Sequence, residues 1–188
     1  ISAGTTKATY TLTNQYGCSS TSNYQVNVNG VAPAIVCPDN IIVNNDEGQC
    51  GAVINFATTD NVGVPASTIT YSINPGTFFP VGTTTVTATA TNAVGTSTCS
   101  FKVTVHDNTD PVITSSPVAI TVQCSAAVPA VNIASVTATD NCSVTVSFVS
   151  DVISNQTAPN KYTITRTYKA TDPSDNFVTC TQIITVND

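Results

Sequence analysis

Acidic and amide side chains concentrate in three short stretches of this chain, and their chemistry suits a hard cation. The stretches are "VHDNTDPVIT" (residues 105–114), "TDNC" (139–142) and "TDPSDN" (171–176). None of them contains Lys or Arg. Calcium takes about six to eight oxygen ligands from carboxylates, amides and carbonyls. The candidate ligands are Asp107, Asn108, Asp110, Asp140, Asn141, Asp172 and Asp175.

The same residues have a simpler interpretation as turn formers. Asp and Asn side chains hydrogen-bond to their own backbone two residues on, and they tolerate left-handed conformations. Turn formation explains the acids of each stretch by itself, but it does not explain why the acids of three stretches would lie together in the fold. Carboxylates brought together without a cation repel and raise each other's pKa. The two interpretations differ in whether the three stretches converge.

Composition predicts the elements that must position these residues. The chain has 34 Thr and 25 Val among 188 residues, and only one Leu. β-branched side chains favour pleated, half-buried strands over helices. Five Lys and Arg and a net charge of −6 argue against a nucleic-acid surface. No apolar run approaches the length of about 18 residues that a membrane span needs.

Internal repetition organises the chain. "STCSFKVTVHD" (97–107) recurs as "VTCTQIITVND" (178–188), and "TTDNVGV" (58–64) recurs as "ATDNCSV" (138–144). Residues 31–107 and 108–188 are therefore two copies of one unit. Residues 1–30 resemble the last two strands of such a unit, so we expect a truncated domain there, cut from a longer chain. The acid-rich "DNTD" is the linker between the two copies.

Each copy alternates apolar and polar residues with a period of two. In "TTTVTATATN" (83–92), Val86, Ala88 and Ala90 share one face and threonines the other. Several such strands separated by Gly, Pro, Asn and Asp turns predict an all-β fold, with immunoglobulin-like antiparallel β-sandwich domains arranged end to end. In this fold the linker, "TDNC" and "TDPSDN" meet at the N-terminal end of the second copy. The sequence thus predicts calcium at the 107–110 junction and no tight site in the first copy, whose linker lacks acids and whose matching loop has Asn92.

Seven cysteines without a CxxC pair indicate disulfides formed outside the cytoplasm and make a zinc site improbable. In the predicted sandwich Cys37 and Cys99 open neighbouring strands, so we expect them to pair. Cys180 lacks a counterpart of Cys37, and the sequence favours Cys142 as its partner. An open alternative joins Cys142 to Cys50 across the linker. The partners of Cys18 and Cys124 stay open as well.

The motifs "PAIVCPDNIIVNNDEGQCGAVINF", "FFPVGTTTVTATATNAVGTSTCSFKVTV" and "DNTDPVIT" resemble the hyalin-repeat family. Residues 31–107 carry the resemblance, and residues 108–188 look like a variant with "AITVQC", "ATDNC" and "TCTQIITV". The first 30 residues look like the tail of a PKD-like module. The resemblance implies an extracellular or cell-surface adhesive array, similar to those of Bacteroidota-type bacteria and their gliding-motility adhesins. It supplies no catalytic residues.

The sequence therefore predicts a structural spacer of a secreted adhesin, stiffened by calcium, disulfides or both. Its expected partners are neighbouring domains of the same chain. The alternative is a module that binds a glycan or an abiotic surface, with Phe78 and Phe79 as the aromatic candidates, although their position favours a core. No Ser/His/Asp arrangement, paired glutamates or phosphate loop argues for an enzyme. Arg166 lies in phase with apolar residues, so we expect it to be buried against a carboxylate or aromatic group.

Overall fold

The structure, a computed structural model, describes the backbone of residues 4–188 and the side chains of 7–27 and 29–188. These residues form strands and two short 3-10 turns. The strands are β1 (Gly4–Thr13), β2 (Ser19–Val28), β3 (Ile35–Val36), β4 (Ile41–Asn44), β5 (Gly51–Ile54), β6 (Thr59–Asp60), β7 (Thr68–Tyr71), β8 (Thr77–Pro80), β9 (Gly82–Thr91), β10 (Thr96–His106), β11 (Val112–Ser115), β12 (Ile120–Val122), β13 (Thr137–Thr139), β14 (Thr145–Ala158), β15 (Lys161–Thr171) and β16 (Phe177–Asn187). The 3-10 turns are Ser125–Ala127 and Ile133–Ser135. The expected all-β, sandwich-type fold is confirmed.

The chain divides into two compact units whose limits differ from those of the sequence copies. The first unit comprises Ile1–Val43 and Val53–Val105, and the second comprises Asn44–Ala52 and His106–Asp188. The sequence predicts domains over 1–30, 31–107 and 108–188. Residues 44–52, which belong to the first copy in sequence, therefore group with the second copy in space.

A four-stranded sheet in the order β4, β10, β9, β7 forms the main layer of the first unit. The β9–β10 pair is antiparallel with Phe101 opposite Val86. The apolar residues of β9 are buried and its threonines face outward, as the period of two predicts. A hairpin of β1 and β2 precedes this layer, where the sequence predicts the last two strands of a truncated domain. Residues 1–3 of that segment lie outside the described residues.

A cluster of aromatic side chains surrounds the half-buried Phe56 in the first unit. Its ring meets Phe101, Tyr71 and Phe79 edge-on, with centroids 5.0, 5.4 and 6.3 Å away. Strand β8, paired with β5, alternates its two phenylalanines, so Phe79 is 1% exposed and Phe78 is 49% exposed. The expectation of a core position holds for Phe79 alone. A disulfide between Cys37 and Cys99 also lies in this unit, with their Cα atoms 5.8 Å apart.

The second unit repeats this main layer with the order β12, β16, β15, β14. Strand β12 runs parallel to β16, and the other neighbours are antiparallel. A smaller sheet joins β11 to β13. Buried core side chains are Val136, Ile164, Tyr168, Ala170, Ile184 and Val186. The candidate ligands lie in the linker between β10 and β11, in the loop after β13 and in the turn between β15 and β16.

Arg166 is buried inside the second unit, 3% exposed. Its Nε and Nη2 donate to both carboxylate oxygens of Asp151 at 2.9 and 2.8 Å, and its Nη1 donates to the Pro129 carbonyl at 2.9 Å. The expected carboxylate partner is thus Asp151. No helix among residues 4–188 is long and apolar enough to cross a membrane.

Candidate cation site

Three candidate ligands from two of the three stretches come together in the second unit. Asp107 follows β10, and Asp140 and Asn141 follow β13. Each has a buried side-chain oxygen that accepts no hydrogen bond from any described residue: Oδ2 of Asp107, Oδ1 of Asp140 and Oδ1 of Asn141. Buried polar atoms in folded proteins almost always have partners, and those without one call for a water or an ion.

Asp107 is the most enclosed of the three, with 7% of its surface exposed. Its Oδ1 accepts from the Thr109 backbone N–H at 3.1 Å and from Nδ2 of Asn141 at 3.2 Å. Its own carbonyl accepts from Nδ2 of Asn176 at 3.1 Å. These contacts use one carboxylate oxygen and leave Oδ2 as the free acceptor.

Asp140 and Asn141 are oriented by the backbone around them. Oδ2 of Asp140 accepts from the Cys142 N–H at 3.0 Å, which leaves Oδ1 unused. Nδ2 of Asn141 donates to the Gln49 carbonyl at 3.0 Å as well as to Asp107. Since the amide nitrogen is held from both sides, the amide oxygen of Asn141 is the atom left over.

The carboxylates of this group have no cationic side chain as a partner among the described residues. Arg166 forms an ion pair with Asp151, whereas neither Asp107 nor Asp140 forms one with a described residue. A buried carboxylate oxygen without a partner costs about 1–3 kcal/mol or more, because it has lost its hydration. Carboxylate and amide oxygens are hard donors of the kind that calcium takes.

Asp172 is a predicted ligand whose carboxylate oxygens already accept hydrogen bonds within its own turn. It is 5% exposed. Its Oδ1 accepts from the N–H groups of Ser174 and Asn176, at 2.8 and 2.9 Å, and its Oδ2 accepts from Nδ2 of Asn176 at 2.8 Å. For Asp172 the turn interpretation therefore describes the structure. The contribution of this turn to Asp107 is the Asn176 amide.

The remaining predicted ligands face outward. Asn108, Asp110 and Asp175 are exposed. Asn108 uses its backbone N–H, which donates to Oδ1 of Asn45 at 3.3 Å. Asp175 adopts a positive φ of 69°, as expected of an Asp in a turn. The structure thus brings together three of the seven residues that the sequence proposes.

The disulfide at this site corrects the favoured pairing of Cys142 with Cys180. Cys142 is bonded to Cys50, with Cα atoms 4.8 Å apart, and Cys180 is not in a disulfide. Cys180 lies within β16, opposite Tyr168, because that strand begins at Phe177. Cys50 reaches Cys142 because residues 44–52 belong to the second unit. The open alternative across the linker is the observed one.

Sequence reasoning missed the contribution of residues 45 and 49. The Asn45 amide donates to the Gln49 carbonyl at 3.1 Å and to Oγ1 of Thr109 at 3.1 Å. The backbone N–H of Asn45 donates to the His106 carbonyl at 2.8 Å. The segment thereby joins the linker to the loop that carries Asn141. The open alternative that pairs Cys50 with Cys142 was the sequence signal for this arrangement.

The matching loop of the first copy is closed by the backbone instead. Oδ1 of Asp60, the counterpart of Asp140, accepts from the N–H groups of Ala34, Val62 and Gly63 at 3.0, 3.4 and 3.2 Å. The Ser67 hydroxyl beside it, followed by these N–H groups, holds the pKa of Asp60 below its ordinary value against the effect of burial. Gly30 occupies the position that corresponds to Asp107. Asn61, the counterpart of Asn141, is exposed.

Comparison with known proteins shows what this chain is similar to. Residues 30–105 match the family model of the HYR domain. Hyalin of the sea urchin Strongylocentrotus purpuratus is 32% identical over 200 aligned residues, and hyalin of Lytechinus variegatus is 33% identical over 196. The alignments cover 97% of this chain but span 16% and 37% of the respective relatives.

Among solved structures, the titin I-band fragment I67–I69 matches with a TM-score of 0.43 and 13% identity, over 98% of this chain and 75% of the titin fragment. The EC3–6 fragment of protocadherin gammaB7 matches with a TM-score of 0.38 and 13% identity, over 98% and 58% of the two chains. Residues 30–105 are thus similar to the HYR domain, within a chain that is similar along most of its length to segments of hyalin.

Proposed function

We propose that this chain is a non-enzymatic spacer of an extracellular, adhesion-related protein, in which calcium and a disulfide restrict the linker between two sequence copies. Calcium would bind Oδ2 of Asp107, Oδ1 of Asp140 and Oδ1 of Asn141. The disulfide is Cys50–Cys142. The proposal concerns this segment, because it spans a minor part of the relatives to which it is similar.

Several findings support an extracellular, adhesion-related module. Both the HYR match and the hyalin relatives favour it. Two disulfides are consistent with an oxidising location outside the cytoplasm. Both relatives come from sea urchins, so the bacterial gliding-motility adhesin predicted from the resemblance has no support in these comparisons. The proposal therefore keeps the extracellular module and omits the bacterial origin.

The observation that carries the proposal is the group of three buried oxygens without partners. Asp107 begins the linker, whereas Asp140 and Asn141 belong to a loop more than 30 residues further along. A cation bound by all three would tie the first linker residue to that loop. Each backbone residue that is ordered costs about 1–2 kcal/mol of entropy, so a fixed linker needs such a compensating interaction.

Thermal unfolding with calcium or EGTA tests this function. Calcium at about a hundred times its dissociation constant stabilises a protein by about 2.7 kcal/mol. We expect a higher Tm with calcium for the native chain and for Asp60→Asn, and no calcium effect for Asp140→Asn. Small-angle scattering should show a narrower distribution of lengths with calcium. A Tm and a scattering profile that do not respond to calcium would remove calcium from the proposal.

A glycan- or surface-binding module is the second candidate, favoured by one observation. Phe78 is half exposed on β8, where an aromatic ring could stack on a sugar. A glycan array with the native chain and Phe78→Ala tests it. Binding that disappears in Phe78→Ala would support this candidate, while an array without signal would leave the spacer as the function of this segment.

A further inference from the structure

We infer that the Cys50–Cys142 disulfide positions the oxygens of the cation site, so that oxidation of these cysteines and cation binding reinforce each other. This inference rests on the calcium site proposed above. The disulfide then does more than link residues 50 and 142 covalently. The contacts that orient all three unpartnered oxygens lead to it.

The first contact passes through the residues that precede the two cysteines. Gln49 precedes Cys50, and Asn141 precedes Cys142. The Gln49 carbonyl accepts from the Asn141 amide at 3.0 Å, and the same amide donates to Oδ1 of Asp107 at 3.2 Å. The disulfide keeps Gln49 beside Asn141, which fixes the amide nitrogen. As a result the Asn141 oxygen and Oδ2 of Asp107 stay available to a cation.

The second contact passes through Cys142 itself. Its backbone N–H donates to Oδ2 of Asp140 at 3.0 Å, so Oδ1 of Asp140 is left for a ligand. The Cys142 Sγ atom, one carboxylate oxygen of Asp107 and one of Asp140 all lie within 4.8 Å of one another. Since this sulfur is part of a disulfide, it brings no thiolate charge to the site. Because the Cys142 sulfur lies beside both carboxylates, the disulfide lines the proposed site.

Asp107 provides the independent sign that a ligand belongs here. It is 7% exposed, and its Oδ2 has no hydrogen-bond partner among the described residues. The groups that surround metal ligands and hold their orientation commonly change affinity by about ten- to a hundredfold when they are removed. The Gln49 carbonyl and the Cys142 N–H occupy this orienting role, and the disulfide holds both.

Coupling of this kind is reciprocal. If the disulfide raises the affinity for calcium by a given factor, calcium must favour the disulfide over the dithiol by the same factor. Reduction by a dithiol reagent transfers two electrons and two protons to the S–S bond. It yields the Cys50 and Cys142 thiols and the cyclic disulfide of the reagent. Calcium should therefore shift this exchange toward the protein disulfide.

Isothermal titration of calcium into the full chain and a double variant tests the inference. The variant is Cys50→Ala with Cys142→Ala. The matched control is Cys37→Ala with Cys99→Ala, which removes a disulfide of similar sequence separation, 62 against 92 residues, from the first unit. We expect calcium binding weakened about ten- to a hundredfold in the first variant and changed less than about twofold in the control.

The outcomes separate the two proposals. A native chain that takes up no calcium overturns the cation site itself. A native chain that binds calcium with the same affinity as the Cys50→Ala, Cys142→Ala variant overturns the positioning role alone. If circular dichroism shows that this variant does not fold, reduction of the disulfide in the native chain tests the inference instead. The dithiol concentration that half-reduces Cys50–Cys142 must rise with calcium, and an unchanged value contradicts the inference.

Discussion

The Asn141 amide bridges the Gln49 carbonyl and Oδ1 of Asp107, at 3.0 and 3.2 Å, and so joins three parts of the chain through one nitrogen. The opposite end of the same amide is a buried oxygen without a partner. One side chain therefore both holds Asp107 and carries an oxygen that the proposed cation would bind. Substitutions at Asn141 should separate these two roles.

Asn141→Asp should make the second unit dependent on calcium. The substitution removes the donor to Gln49 and Asp107 and places a third carboxylate beside Asp107 and Asp140. Loss of such buried hydrogen bonds costs about 1–3 kcal/mol, and repulsion adds to it. We expect lower stability than the native chain in EGTA and recovery in calcium, measured by urea unfolding.

The control for this experiment is Asn61→Asp, at the exposed counterpart in the first copy. It should leave stability unchanged in both buffers. If Asn141→Asp were equally destabilised with and without calcium, the extra carboxylate would have no cation to bind, and the site would be wrong.

Arg166→Met should destabilise the second unit by about 3 kcal/mol. Removing one partner of a buried ion pair costs about 3–5 kcal/mol, because the remaining charge is left unpaired. The lower end applies since the Asp151 side chain is 31% exposed and regains water. Chemical denaturation gives the value, with Lys161→Met at an exposed position as the control. Equal stability of the two variants would contradict a structural role for Arg166.

Acid should weaken the first unit through Asp60. The Ser67 hydroxyl, then the N–H groups of Ala34, Val62 and Gly63, hold the folded-state pKa of Asp60 below its ordinary value of 3.8. The unfolded chain binds the proton more readily, so this contribution is present above the ordinary value and is lost as pH falls through the folded-state pKa.

Unfolding by urea at a series of pH values measures this effect. Asp60→Asn should flatten the acid limb of the stability curve, while Asp39→Asn, at an exposed position, should keep it. An unchanged acid limb in Asp60→Asn would assign the loss of stability to other carboxylates.

Alkylation should distinguish the three cysteines outside disulfides. Burial raises the pKa of the Cys180 thiol, so a smaller fraction is thiolate near pH 8. Exposed Cys18 should react with iodoacetamide first, and Cys180 should react more slowly until the chain unfolds. Mass mapping identifies the sites. Label on Cys50 or Cys142 in the unreduced native chain would contradict their disulfide.

The sequence alone predicts the strands well, because alternation of small apolar residues and threonine in β9 leaves one face to bury. It also identifies Asp107, Asp140 and Asn141, since repeat alignment places both of their stretches at the start of the second copy. It does not show that both carboxylate oxygens of Asp172 already accept hydrogen bonds, because these come from the backbone and the side-chain amide of the turn at 172–176. Nor does it show where residues 44–52 pack, since a nine-residue segment is free to follow either copy.

The grouping of residues 44–52 with the second unit changes what a self-sufficient fragment would be. A piece that begins at residue 108 would match the duplicated stretch of sequence. It would nevertheless lack Asp107, leave the Cys142 thiol without Cys50, and leave the Asn141 amide without the Gln49 carbonyl. The boundary along which the sequence was duplicated is therefore different from the boundary along which the chain folds. Shuffling one copy without its neighbour would carry half of a disulfide and part of the candidate cation site to the new location.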